Sequence, residues 1–181
     1  MHKSEEQLEA GIEHILAAPK DAGILKMIVS RPQTDQRNCQ STGQLTTELG
    51  LIGDNWKARG FSRAPDGSAH LDMQLNIMNS RAIDLIAQSQ HDWPLAGDQL
   101  YVDMDLSKDN LPPGTRLSVG AAQIEVTAEP HLGCKKFADR FGKAATLFVN
   151  SDIGKTNGFR GICAKVIKDG EIGVGDRLTK L

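Results

Sequence analysis

Aromatic side chains make up only 4% of this 181-residue chain, too few for a platform on which nucleic-acid bases stack. Neither sign of charge dominates, with 21 Lys and Arg against 23 Asp and Glu. No global basic field therefore recommends nucleic acid as a partner. No apolar run approaches the ~20 residues that span a bilayer, and mean hydropathy is −0.34, so no membrane partner is expected. The first nine residues are polar and acidic, unlike a secretory signal, and the expected location is the cytoplasm. The three cysteines, at 39, 134 and 163, form no C-x-x-C pair. An odd count without a signal segment argues against a disulfide framework, and the spacing argues against a cysteine zinc site.

Familiar catalytic motifs are also missing. Gly154-Lys155-Thr156 resembles the end of a phosphate-binding loop, but position 149, where that loop needs glycine, is valine. Gly173-Val174-Gly175 lacks the third glycine of a dinucleotide fingerprint, and no helix opens after it. There is no H-E-x-x-H or G-x-S-x-G. His2, His14 and His91 have ordinary readings as solvated or packing side chains, and no carboxylate pair stands out for acid–base work.

What is present is a string of short elements. Ser4-Glu5-Glu6-Gln7 reads as a capping box ahead of Leu8, Ile12, Ile15 and Leu16 at helical spacing, a helix that must end before Pro19. Strands are expected over 24–30, 45–49, 71–77 and 100–106. Asn79 or Ser80 caps a helix carrying Ile83 and Ile86. Strands over 116–119 and 123–127 around Gly120-Ala121-Ala122 read as a hairpin. Two closing strands are expected over 161–167 and 172–178. The 50–70 segment, rich in Gly, Asn, Arg and Pro, reads as a long loop of the kind that carries function. Without regular strand–helix alternation, a mainly β architecture is expected: a closed or partly closed antiparallel barrel with peripheral helices. Residues 1–22 form a helical extension and 23–181 the barrel domain.

Cys134 is where residue type and placement both point to chemistry. It follows Pro130-His131-Leu132-Gly133 and opens a helix whose face carries Phe137 and Phe141 and which ends near Gly142. The helix dipole, Lys135, Lys136 and Arg140 favour a thiolate, the form that attacks electrophiles or ligates a soft metal. Nucleophile, sulfur carrier and metal ligand all remain open on these residues alone. Cys163 sits in an apolar strand and reads as core, and Cys39 as a spare thiol.

Several segments together resemble the MOSC domain, the C-terminal module of molybdenum-cofactor sulfurases, in its small stand-alone bacterial form. They run in family order: Arg31-Pro32, Gly50-Leu51-Ile52-Gly53-Asp54, Asn76-Ile77-Met78, Gly97-Asp98-Gln99-Leu100, Leu111-Pro112-Pro113-Gly114-Thr115, Pro-His-x-Gly-Cys ending at Cys134, and Arg160-Gly161-Ile162-Cys163 with Gly173-Val174-Gly175-Asp176. The resemblance implies a MOSC-like barrel of the pyruvate kinase type and a molybdenum–molybdopterin cofactor with Cys134 as thiolate ligand. It implies either reduction of N-hydroxylated small molecules or a carrier role for sulfur or cofactor. Pyridoxal phosphate is attached to the family only as a general label. The family loop after Gly-Asp often carries histidines; here it reads Asn55-Trp56-Lys57-Ala58-Arg59, whose cations suit a pterin phosphate.

The expected cofactor contacts are Arg31, Asp54, Lys57, Arg59, Asp98, His131 and Arg160. Arginine offers forked phosphate contacts and lysine a point charge. Asp54 has a reading as acceptor for pterin amino groups and a plainer one as a turn former. No flavin, haem or iron–sulfur motif is present, so an enzyme of this kind needs a separate electron-donor reductase. A metal-free thiol peroxidase, resolved by Cys39 or Cys163, is a third reading.

Overall fold

A computed structural model describes residues 2–181. The chain opens with two short helices, α1 (Glu5–Glu9) and α2 (Ile12–Leu16). The capping box forms: Ser4 Oγ accepts from Gln7 N–H while Gln7 reaches back to the Ser4 backbone. Strand β1 (Gly23–Ser30) follows, then β2 (Asn38–Gln40), β3 (Thr42–Thr46) and β4 (Gly50–Leu51). Between the expected strands over 24–30 and 45–49 the chain thus forms a further one, β2. The 50–70 loop carries a short helix, α3 (Trp56–Arg59), before a 3-10 turn and β5 (Leu75–Asn79).

Asn79 caps α4 (Ser80–Ile86) through bonds from Arg81 and Ala82 N–H, as its residue type predicts. A 3-10 segment leads to β6 (Leu100–Asp103), then the hairpin β7 (Arg116–Val119) and β8 (Ala122–Val126). Next come α5 (Lys135–Asn150) and α6 (Asp152–Thr156). Gly142 breaks α5 with a φ of 90°, where the sequence places its stop. The last strands are β9 (Ile162–Lys168), β10 (Gly170–Gly173) and β11 (Arg177–Lys180).

Seven strands close a ring in the order β1-β11-β7-β8-β9-β5-β6, with β6 returning to β1 and β2 added outside β1. The barrel is mixed. β5 and β6 run parallel, joined by the α4 crossover, whereas every other pair in the ring is antiparallel. The purely antiparallel expectation fails here because the Asn79 cap turns the chain into a helix where a hairpin would reverse it. The expected final strand over 172–178 also splits. β10 pairs with β3 in a separate three-stranded sheet, and a turn held by Gly173 N–H donating to Asp176 Oδ2 (2.7 Å) redirects the chain into β11.

Side-chain alternation sorts residues into two cores. Leu75, Ile77, Leu100, Val102, Ile124 and Val166 fill the barrel, with Leu45, Leu51 and Ile172 from the small sheet. Their neighbours Met78 and Tyr101 point outward into a second core shared with Leu8, Ile83, Phe137 and Phe148 of the helices. In β1, Leu25 and Ile28 both face inward, an odd spacing that strict alternation forbids. A register shift between Leu25 and Met27 permits it. Leu8 and Ile15 pack α1 and α2 against this outer core. No helix among the described residues is long and apolar enough to cross a membrane.

Candidate functional site

Two buried arginine–aspartate pairs stand side by side at one mouth of the barrel. Arg31, leaving β1, donates to Asp54 from Nε (2.7 Å), Nη2 (2.9 Å) and its own backbone N–H (3.0 Å). Asp54 also accepts from Trp56 N–H at 2.9 Å. With four donors on a fully buried carboxylate, Asp54 holds Arg31 and the start of α3. No acceptor position is left to read a pterin amino group. Arg160, just before β9, donates from Nη1 to both oxygens of Asp98 (2.7 and 3.0 Å) and from Nη2 to the Ala96 carbonyl (2.9 Å). Arg31 Nη1 donates to the next carbonyl, Gly97 (2.7 Å). Consecutive carbonyls thus fix the two guanidiniums beside each other.

Burial alone would push the Asp98 carboxyl up, but Arg160 and then His131 overcome it and hold the carboxyl at about 2, below its usual 3.8. His131 Nε2 lies 2.6 Å from Asp98 Oδ1 and 2.8 Å from Arg160 Nη1. Burial, followed by the Arg160 charge, lowers the imidazole pKa. A neutral ring uses Nε2 either to donate to Asp98 or to accept from Arg160, not both. The Arg160 guanidinium also lies 4.9 Å from the centre of the Phe137 ring.

The arginines of these pairs line a cavity of about 240 Å³ whose wall includes Cys134. Cys134 occupies the N-cap of α5 in an extended conformation, exposed, with its side chain making no cap bond. The irregular 127–134 strap that delivers it is tied at its end by a double amide clamp. Gly133 N–H donates to Asn150 Oδ1 (2.8 Å), and Asn150 Nδ2 donates to the Gly133 carbonyl (2.9 Å).

Arg31, Arg37, Arg59, Lys136, Arg140 and Arg160 all line this cavity. Arg31, Arg140 and Arg160 have carboxylate partners, in Asp54, Asp35 and Asp98. Among the described residues no carboxylate pairs with Arg37, Arg59 or Lys136. Burial, and then repulsion from neighbouring arginines, lowers the pKa of Arg37 and Arg59. Two buried polar atoms of lining residues, Arg160 Nε and Asn55 Oδ1, lack any partner. Buried polar groups are normally paired, so this donor and this acceptor are exceptions in residues of the cavity wall.

Six of the eight sequence-derived site residues therefore meet here: Arg31, Arg59, His131, Cys134 and Arg160 on the cavity wall, and Asp98 behind it. Asp54 supports the cavity from below through Arg31. Lys57 does not reach it. Its half-exposed ammonium pairs with Glu48 at 3.3 Å, whereas Arg59, exposed on the same short helix, lines the cavity. Sequence reasoning left out Arg37 and Asn55, and took Asn76 only as a match of pattern. Asn76 bridges the site to the core: its Oδ1 accepts from Arg31 at 3.4 Å and its Nδ2 donates to Cys163 Sγ at 3.4 Å. Burial and then Asp98 push the Cys163 thiol up to about 12, so it packs as a core residue, as its apolar strand suggests. Arg37 had no pattern around it to single it out.

A closed mixed barrel with a cysteine at a helix start over a cationic mouth defines a recognisable class. The family model described as the MOSC domain matches residues 65–179, and the chain belongs to that family. The fold is shared by YuaD of Bacillus subtilis, with a TM-score of 0.62, 18% identity, and coverage of 86% of this chain and 93% of that one. YiiM of Escherichia coli gives a TM-score of 0.56 at 22% identity, covering 87% and 69%. A crystal structure described only as a hypothetical protein gives 0.59 at 21%, covering 89% and 68%. No curated protein sequence matches significantly.

Proposed function

We propose that this protein binds a molybdenum–molybdopterin cofactor, with Cys134 as the thiolate ligand, and reduces N-hydroxylated small molecules with electrons from a separate reductase. The observation that carries the reading is the company Cys134 keeps: an exposed thiol opening onto a cavity with three cations lacking carboxylate partners and two orphaned buried polar atoms. These features fit the cofactor. Its phosphate needs excess positive charge, supplied by Arg37, Arg59 and Lys136, and its polar ring needs donors and acceptors, supplied by Arg160 Nε and Asn55 Oδ1. Among the described residues no cluster of three or more His, Cys, Asp or Glu is placed to hold a bare metal ion. A metal here would take most of its ligands from the cofactor and one from the protein.

When bound, the cofactor supplies two-electron oxygen-atom chemistry at its metal. The chain's own residues prepare the place. Asp98 and Asp54 hold Arg160 and Arg31 aligned without reorganisation. Asn150 holds the strap so that Cys134 stays at the cavity. His131 offers an imidazole that remains neutral near pH 7 and has hydrogen-bonding partners of both kinds.

The test is metal and fluorescent-pterin analysis of protein made in a cofactor-producing host. Near-stoichiometric molybdenum and pterin are expected in wild type, falling sharply in Cys134→Ser and in Arg37→Ala/Arg59→Ala. A folded protein with neither, and a Cys134→Ser variant identical to it, would sink the reading. Bound cofactor without reduction of hydroxylaminopurine or amidoximes by any donor would reassign the protein as a carrier. A +32 Da adduct confined to Cys134 would mark it as a sulfur carrier.

A further inference from the structure

On the other side of the 127–134 strap lies a second and larger cavity, about 430 Å³, with His131 in the wall of both. Its lining is mostly hydrocarbon: Leu106, Leu111, Val126, Ile162 and Leu132, with the rings of Pro113 and Pro130. A slot of this size and character is of the kind that encloses small organic molecules.

Its polar groups divide into two sets. Glu129 is engaged by His70 at 3.6 Å, Thr127 Oγ1 donates to the Asp72 carbonyl at 2.5 Å, and His131 faces Asp98. Lys108 and Lys155, also in the lining, have no such engagement. Among the described residues neither ammonium group has an ion-pair partner or a hydrogen bond. Only their backbone N–H groups are used, by Thr156 and Ser151 carbonyls. The strap's one acid has His70 as its neighbour, while both cations at the slot are without a partner among the described residues. An occupant complementary to that surface carries an apolar body for the slot and a negative charge for the lysines.

We infer that this cavity binds small amphipathic carboxylates, with the hydrocarbon or aryl body against Leu106, Leu111, Val126 and Ile162 and the carboxylate at Lys108 and Lys155. The inference rests on the second cavity's own chemistry and stands whether or not the Cys134 cavity holds a cofactor. A bound molecule abuts the strap that carries His131 and so lies beside the Cys134 cavity. A neutral apolar molecule would leave both ammonium groups unused, and a bare anion would leave the slot unfilled.

Calorimetric titration of the full chain with octanoate, octanamide and acetate tests this. Octanoate is expected to bind saturably and at least tenfold more tightly than either comparator. Lys108 and Lys155 are exposed, so Lys108→Glu/Lys155→Glu leaves the fold intact and should weaken octanoate at least tenfold without changing octanamide. Leu132, also exposed, can be enlarged: Leu132→Trp fills the slot and should reduce both eight-carbon probes. Equal binding of octanoate and octanamide, undiminished octanoate affinity in the double variant, or no saturable binding at millimolar octanoate would each overturn the inference. The double variant should keep wild-type molybdenum and pterin content, so failure here is distinct from failure of the proposed function.

Discussion

Replacing Asp98 with asparagine tests the electrostatic floor of the site with almost no change in volume. Asp98 is fully buried, and both its oxygens are engaged, one by Arg160 and His131 and the other by Arg160 at 2.7 Å. Asparagine offers one oxygen. Its amide donor must then point at another donor or at His131, and the buried guanidinium loses its counter-charge. Breaking a buried pair from one side costs about 3–5 kcal/mol, because the remaining charge is left in a poor solvent.

A second magnitude comes from the carboxyl's titration. Its fall from 3.8 to about 2, at about 1.4 kcal/mol per pH unit, is worth about 2.5 kcal/mol. The folded pKa lies below the unfolded one, so this stability is fully present above pH 3.8 and is lost as pH falls through about 2. Urea unfolding at pH 7 should therefore show Asp98→Asn less stable than wild type by about 3–5 kcal/mol, with a flatter acid limb between pH 4 and 2. Asp35→Asn removes a similar carboxylate–arginine contact at 2.7 Å, but with the aspartate 68% exposed. Such surface pairs are worth about 0–1 kcal/mol, and little change is expected. Arg160→Met in the Asp98→Asn background should recover part of the loss by removing the stranded charge. An Asp98→Asn protein within about 0.5 kcal/mol of wild type, a change no larger than an ordinary surface substitution, or one with an unchanged acid limb, would refute the reasoning.

Three other outcomes follow from the same geometry. The lowered His131 pKa, caused by burial and then Arg160 against the opposing pull of Asp98, makes the unfolded chain take up a proton first below pH 6.5. Wild-type stability should fall between pH 7 and 5, and His131→Asn should flatten that slope; an identical slope contradicts the assignment. Gly161 has a φ of +112°, and a Cβ there would drive into the Ile77 carbonyl oxygen, so Gly161→Ala should cost about 3 kcal/mol in thermal or urea melts, and a cost under about 1 kcal/mol would be too small for that clash. Asn79→Ala removes the α4 cap and the Nδ2 bond to the buried Met104 carbonyl (2.8 Å). A loss of about 2 kcal/mol is expected by the same measurement, and an unchanged midpoint would count against it.

The amino-acid sequence determines by itself whatever depends on neighbours three or four residues apart. Ser4 and Gln7 form their capping box, Asn79 caps α4, Gly142 interrupts α5, and Gly120-Ala121-Ala122 turns β7 into β8. Cys134 falls at a helix start and Cys163 in the core for the same local reasons. The order of family-like segments adds the barrel, because it reflects a whole topology. Tertiary structure alone decides where distant segments meet. The parallel β5–β6 pair and the parting of β10 from β11 depend on which strand edge is left open when the ring closes. The roles of the two aspartates are settled in the same way. Each binds an arginine, Arg31 for Asp54 and Arg160 for Asp98, from a segment 23 or 62 residues away, leaving Arg37, Arg59 and Lys136 to supply the free positive charge around Cys134. Side-chain type says that a carboxylate will find a cation; only the packed fold decides which cation, and which others remain for a ligand.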